Sequence, residues 1–213
     1  MHDTVAAEPD HSRLFGIASG QQGHFTAGQA RVCGFGWDDL SYHVRRGRFI
    51  RVHRGVYRFR DYPSGPREDV MAAWLAVGKD VAVVSHESAL DLLDLSDVIP
   101  NAVDLTVPRS RRYLAAPPGA RLHTTTRPPR PADVTEREGI RLTSATRTIL
   151  DAAEYGTAGE QVEMAVVQAS ERGQTTRALL EAGARERNHY VAELVAGALE
   201  LVGRSTPGLS PWG

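Results

Sequence analysis

The chain has 213 residues, 25 Lys and Arg against 26 Asp and Glu, and a formal net charge of −1. With 41% hydrophobic and 24% charged residues and no apolar run of membrane-spanning length, it excludes disordered, fibrous and membrane-spanning classes and leaves one large or two modest globular domains. The single cysteine, Cys33, excludes an internal disulfide, and the N-terminus has neither the basic start nor the apolar core of a secretory signal, so a reducing cytoplasm is expected.

Charge falls in blocks: +4 over residues 1–60, −6 over 61–100, +5 over 101–147 and −4 over 148–213. The sharpest concentration lies in 24–60, where eight arginines face only Asp38 and Asp39. A compact basic segment in a near-neutral chain is an electrostatic footprint for a polyanion, although oppositely charged blocks also dock on one another. Lys79 is the only lysine, a bias read first as that of a GC-rich genome. Arginine's planar fork nevertheless grips phosphate and guanine edges better than an ammonium does.

In chain order, residues 1–9 read as frayed. A helix follows from about Ser12 to Ser19, with Leu14, Phe15, Ile17 and Ala18 as its apolar face. Thr26 is a good N-cap for a short helix over 27–33, and Gly34-Phe35-Gly36 makes a tight turn. The next helix, from Trp37 or Asp38 to Arg46, reads as a recognition helix. Its Leu40 and Val44 face the core, while Ser41, Tyr42, Arg45 and Arg46 point outward. Strands over 48–53 and 56–59 surround Arg54-Gly55 and form a wing that presents Arg48, Arg51, Arg54 and Arg58 to phosphates. Helix, turn, helix and ribbon in this order make a winged helix-turn-helix, and the expected ligand is double-stranded DNA.

Residues 61–66, DYPSGP, read as a linker. The expected organisation is α+β: an N-terminal winged helix-turn-helix over 1–62, a mixed α/β domain with a small sheet and several helices over 66–203, and a flexible tail over 204–213 in which Trp212 is able to dock. Strands are expected at 81–84, 103–107 and 121–125, with a hairpin around Gly139. Helices are expected from Pro66 to Val77, His86 to Leu93 with Ser85 as cap, Ala145 to Glu154, and then over 158–171, 175–186 and 189–202. Arg147 and Asp151, four apart, form a helix-face pair worth roughly 0.3 kcal/mol.

Enzyme motifs mostly fail. His86-Glu87 lacks the second histidine four residues on that a zinc protease needs, because position 90 is Leu90. The scattered histidines and lone cysteine supply no metal cluster, and no phosphate loop or nucleophile elbow occurs. Asp91, Asp94 and Asp97 read as one solvated face rather than a calcium loop. Asp104 is a candidate nuclease carboxylate without evident partners. No cofactor, no metal and no catalytic residue is expected. Arg109, Arg111 and Arg112 form a second basic cluster, read first as a solvated loop and alternatively as an extension of the nucleic-acid surface together with Arg127 and Arg130. A DNA-processing enzyme and a ligand-responsive regulator stay open as alternatives.

The run FTAGQA…GFGWDDLSYHVRRGRFIRVHRGVYRF, with its Gly55-Val56-Tyr57, resembles the N-terminal domain of AbiEi-type antitoxins. Ser85-His86-Glu87-Ser88-Ala89 and Leu142-Thr143-Ser144-Ala145-Thr146-Arg147-Thr148-Ile149-Leu150-Asp151 resemble signatures of the family's second domain, so that the resemblance spans about residues 10–155. It implies a transcriptional autorepressor binding inverted repeats in its own promoter. It also implies the antitoxin of a type IV system, opposing an AbiEii-like nucleotidyltransferase toxin without a tight complex. Trp37-Asp38-Asp39 departs from the small or basic residues of relatives, which moves the expected DNA contacts to the far end of the helix and the wing. Some relatives carry a nuclease-like domain after this region; with the chain ending at 213, none is expected here.

Overall fold

A computed structural model describes residues 8–204, and most of the expected frayed start, the tail and Trp212 lie outside the described residues. Helix α1 runs His11–Ser19; Asp10 caps it by accepting from the Arg13 N–H at 2.9 Å, and Leu14 and Ala18 are its buried residues. A strand absent from the sequence reading follows, β1, His24–Thr26. Three residues are too few to show alternation, and this strand exists only through its pairing with one distant in sequence.

Helix α2 is Ala27–Val32. A capping box starts it: Gln29 N–H donates to the Thr26 hydroxyl at 3.1 Å, and Thr26 N–H donates to the Gln29 side chain at 2.8 Å. Gly34, at φ +84°, turns the chain into α3, Trp37–Arg45. Strands β2, Phe49–His53, and β3, Val56–Phe59, then form an antiparallel hairpin with a register shift between Arg51 and His53. The sheet order is β1-β3-β2, so β3 is central. Phe25, Phe35, Phe49 and Tyr57 form the heart of this core, with Phe25 edge-on to Phe49 at 4.9 Å.

Helix α4, Glu68–Val77, buries Val70 through Leu75. It packs against both sheets and is anchored by Trp74, whose indole N–H donates to the Ala82 carbonyl at 2.8 Å. The second sheet has five strands: β4 (Val83–Val84), β5 (Val103–Pro108), β6 (Ala120–Thr125), β7 (Val134–Arg137) and β8 (Ile140–Thr143). Their order is β6-β5-β4-β8-β7; β5/β6 and β4/β8 are parallel, while β4/β5 and β7/β8 are antiparallel. Helix α5 (His86–Leu92) leaves β4. Helices α6 (Ala145–Tyr155), α7 (Gly159–Glu171), α8 (Arg177–Arg185) and α9 (His189–Arg204) follow. The sheet's Leu105 and Leu142, the α6 residue Ile149 and the α9 residue Val195 belong to one continuous core.

Several sequence expectations change in three dimensions. Ser85 precedes α5 but makes no side-chain cap; its hydroxyl is engaged by His86 and Thr106 instead. Asp91 and Asp94 are not a merely solvated face, since both pair with Arg67 and Asp94 also pairs with Arg137. Arg67 further pairs with Glu138 at 3.2 Å, and Glu138 accepts from Gln22 of the first sheet's turn. Beside it Gly139, at φ +77°, stands so close that a Cβ would lie 2.7 Å from the Gly20 carbonyl oxygen. Gly139→Ala is therefore expected to destabilise by about 1–3 kcal/mol, from left-handed backbone strain plus backbone collision. A lower urea midpoint with unchanged slope is the expected reading, and an unchanged midpoint contradicts it.

Candidate nucleic-acid interface

Helix α3 is polarised along its length. Asp39 caps it, accepting from the Gly36 N–H at 2.8 Å, and Asp38 joins it in the first turn, where carboxylates suit the helix dipole. Trp37 is exposed and lies under the Arg31 guanidinium at 5.6 Å. Leu40 and His43 are buried, and Val44 packs beside them. His43 was not expected in the core. It falls one turn after Leu40, on the inward face, between His11 and Phe49. Burial, reinforced by His11 and Arg48, pushes its pKa down.

The outward residues are where the helical period puts them: Ser41, Tyr42, Arg45 and Arg46 are exposed. Arg46 lies over the Tyr42 ring at 5.5 Å. Arg48 before β2, Arg51 on it and Arg54 at the hairpin tip are exposed as well. None of Arg45, Arg46, Arg48, Arg51 and Arg54 has a carboxylate within 4.0 Å among the described residues. Of the arginines beyond this stretch, Arg67, Arg121, Arg127, Arg130, Arg137, Arg147, Arg177, Arg185 and Arg187 are ion-paired, whereas Arg109, Arg111, Arg112, Arg141 and Arg172 have no carboxylate in ion-pair range among the described residues. Leaving five neighbouring guanidiniums without counter-charge produces a strong local positive potential.

Arg58 does not belong to this face and corrects the sequence expectation. It is 6% exposed and pairs with Glu68 at 3.1 Å, while its Nη2 donates to the Tyr62 carbonyl at 2.7 Å. The reason is its place on the central strand. Tyr57 faces the aromatic core, while Val56 packs in the larger core and Arg58 meets the start of α4. The hairpin read as two free strands has both faces covered at this position.

Arg109, Arg111 and Arg112 sit on an exposed 3-10 turn after β5, with no carboxylate in ion-pair range among the described residues. Arg127 and Arg130 do not join them, since they pair with Glu154 and Asp133. Asp104 is wholly buried, bound by His123 at 2.7 Å and Arg121 at 3.2 Å. No group of three or more His, Cys, Asp or Glu among the described residues is placed to hold a metal ion, and no described helix is long and apolar enough to cross a membrane.

Structurally, then, a basic helix-and-hairpin segment is followed by a five-stranded mixed sheet and its helices. Residues 12–60, which span α1 to the end of the hairpin, match the AbiEi_4 family model, described as transcriptional regulator, AbiEi antitoxin. That match is narrower than the resemblance read over 10–155 and stops before α4. The whole chain is similar in fold to the crystal structure of the RV2827C protein from Mycobacterium tuberculosis. The TM-score is 0.57 at 16% identity, over 94% of this chain and 83% of that one. No curated protein matches the sequence.

Proposed function

We propose that the protein is a sequence-specific DNA-binding autorepressor. Its α2–turn–α3 unit and hairpin work as a winged helix-turn-helix, and it serves as antitoxin to an AbiEii-like nucleotidyltransferase, opposing it without a tight complex. The observation that carries the DNA reading is the uncompensated arginine face of Arg45, Arg46, Arg48, Arg51 and Arg54. The regulator and antitoxin reading draws on the family match at residues 12–60. Asp38 and Asp39 at the start of α3 repel phosphate, so its C-terminal half enters the major groove, with Ser41 and Tyr42 beside the arginines and the hairpin along the backbone.

Anisotropy titration of the promoter DNA upstream of the gene against random duplex tests this. Arg45→Ala is expected to lose about 1–3 kcal/mol of discrimination, as for a lost bidentate contact to guanine. Arg51→Ala is expected to weaken all sequences alike and lower the salt slope by about one. Equal binding to promoter and random duplex overturns sequence-specific repression. Co-expression with the neighbouring nucleotidyltransferase tests antitoxicity, and growth arrest that persists overturns it.

A further inference from the structure

Residues 101–147 carry a net +5, and the ion pairs locate that excess. Arg121, Arg127, Arg130, Arg137 and Arg147 are each held by a carboxylate. Arg141 stands opposite Glu136 in the β7/β8 register, so its charge is offset nearby. Arg109, Arg111 and Arg112 have no such partner among the described residues, and all three are exposed on the turn after β5. The acidic block over 61–100 does not neutralise them: Glu68, Asp91 and Asp94 are taken by Arg58, Arg67 and Arg137. Next to them Tyr113 is 68% exposed, and its hydroxyl accepts from Arg111 Nη1 at 2.7 Å. That hydroxyl keeps its own proton to donate. Exposed guanidiniums and a phenol donor together suit phosphate oxygens.

The fold brings this turn to the side of the molecule that carries the hairpin tip. At that tip the Gly55 carbonyl accepts from the Ala27 N–H at 2.8 Å, at the start of α2. Thr26 and Gly28, also there, line one cleft with Leu75 and Gly78 at the end of α4. Val52 and Val56 of the hairpin share a core with Val77 and Val81, which flank the passage from α4 to β4. Val83 on β4 is registered with Thr106, so β5 ends beside the start of β4 and the basic turn follows directly. One packed-helix spacing, a short connection and one strand spacing separate the hairpin tip from the turn, on the order of 20 Å, which is less than one turn of duplex at about 34 Å. Lys79 is exposed between them, with Asp80 beside it to offset its charge.

We propose that the 109–113 turn is a second phosphate-contact site for double-stranded DNA. With α3 and the hairpin on their site, Arg109, Arg111, Arg112 and the Tyr113 hydroxyl grip the backbone of the duplex that flanks it on the hairpin side. This inference rests on the duplex-binding reading of the N-terminal face and carries it onto the second sheet. Phosphate contacts carry no base information, so the turn lengthens the footprint and adds affinity without changing which sequence is chosen.

Anisotropy titration of the full chain over a salt series tests it. The probes are the shortest promoter duplex that the protein binds and the same duplex extended by about 10 base pairs of random sequence on each side. The unaltered protein is expected to bind the extended duplex more tightly and with a steeper salt slope. The triple variant Arg109→Gln, Arg111→Gln, Arg112→Gln is expected to bind it about tenfold more weakly, with the slope lowered by about two to three. It is expected to bind the short duplex as the unaltered protein does and to keep the same preference for promoter over random sequence. Arg51→Ala, in contrast, weakens both duplexes. The three side chains are exposed, so an unchanged melting temperature is expected; if the triple variant does not fold, Arg112→Gln alone decides, through a slope lower by about one. Equal binding of the extended duplex by the unaltered protein and the folded variant overturns the second contact and leaves the N-terminal reading standing. If that variant also fails to protect cells that co-express the neighbouring nucleotidyltransferase, the turn belongs to a protein partner instead. Absence of binding to either duplex by the unaltered protein overturns the N-terminal reading, and this inference with it.

Discussion

Asp151→Ala is expected to destabilise the protein by about 3–5 kcal/mol, the cost typical of removing one member from a buried ion pair. Asp151 is 5% exposed and serves two guanidiniums: Arg147 Nε at 2.8 Å and Arg187 Nη2 at 2.7 Å. Arg187, whose side chain is 7% exposed, also pairs with Glu154, which in turn holds Arg127 at 3.0 Å. Burial alone would depress the Arg187 pKa, yet Asp151 and Glu154 hold it above its ordinary value. Removing Asp151 takes from Arg147 and Arg187 the one carboxylate they share, and leaves Glu154 alone to join α6, the Pro-rich loop after β6 and the segment after α8. Urea unfolding reads the loss directly. As contrast, Arg177→Ala removes pairs to Glu181 and Glu200 whose side chains are 40% and 70% exposed, and is expected to change stability by less than about 1 kcal/mol through charge. Similar losses in the two variants would contradict the distinction. The spacing of Arg147 and Asp151 suggested a pair worth a few tenths of a kcal/mol; burial multiplies what depends on it.

Stability is expected to fall by about 2 kcal/mol between pH 7 and pH 5 through His86 alone. Its folded pKa of about 3 lies below the unfolded value of 6.5, so the unfolded chain takes up the proton first. This contribution is complete above pH 6.5, declines as pH falls below it, and stops declining near pH 3. His24 and His43, both depressed chiefly by burial, act in the same direction. The groups that set the His86 value are the enclosing protein, His123, Arg147 and Arg187, opposed by the negative charge of Asp104. Urea midpoints at pH 7 and pH 5 measure the drop, and His86→Asn is expected to flatten most of it. A wild-type midpoint that does not move with pH sinks this account.

Much of the secondary structure was legible from local signals. Thr26 and Gln29 announce the start of α2 because a capping box is a contact three residues long. Ser41, Tyr42, Arg45 and Arg46 are exposed because helical period and the positions of Leu40 and Val44 leave no other face for them. The hairpin over 49–59 and the helices from α4 onward follow from alternation, period and breakers that act within a few residues. Apart from His43, whose burial follows from its own helix face, what failed shares one cause. β1, the burial of Arg58, the loss of the Ser85 cap and the ion lattice at Asp151 all depend on partners remote in sequence: β3, Glu68, Thr106 and Arg187.

The sequence by itself determined where the helices and most strands lie, which stretch is basic, and which side of α3 carries its arginines. All of these depend on local period, caps and charge. Only the tertiary structure decided which arginines remain without counter-charge and which are bound. Pairing requires two side chains to meet at a few ångströms, and for Arg58, Arg67 and Arg187 the chain brings them together only after the sheets and helices have packed. It also decided that His86, which heads α5 at positive φ, is bonded to Ser85 and stacked on His123 beside a polar pocket, since that pocket is walled by residues from β5, β6, α6 and the segment after α8.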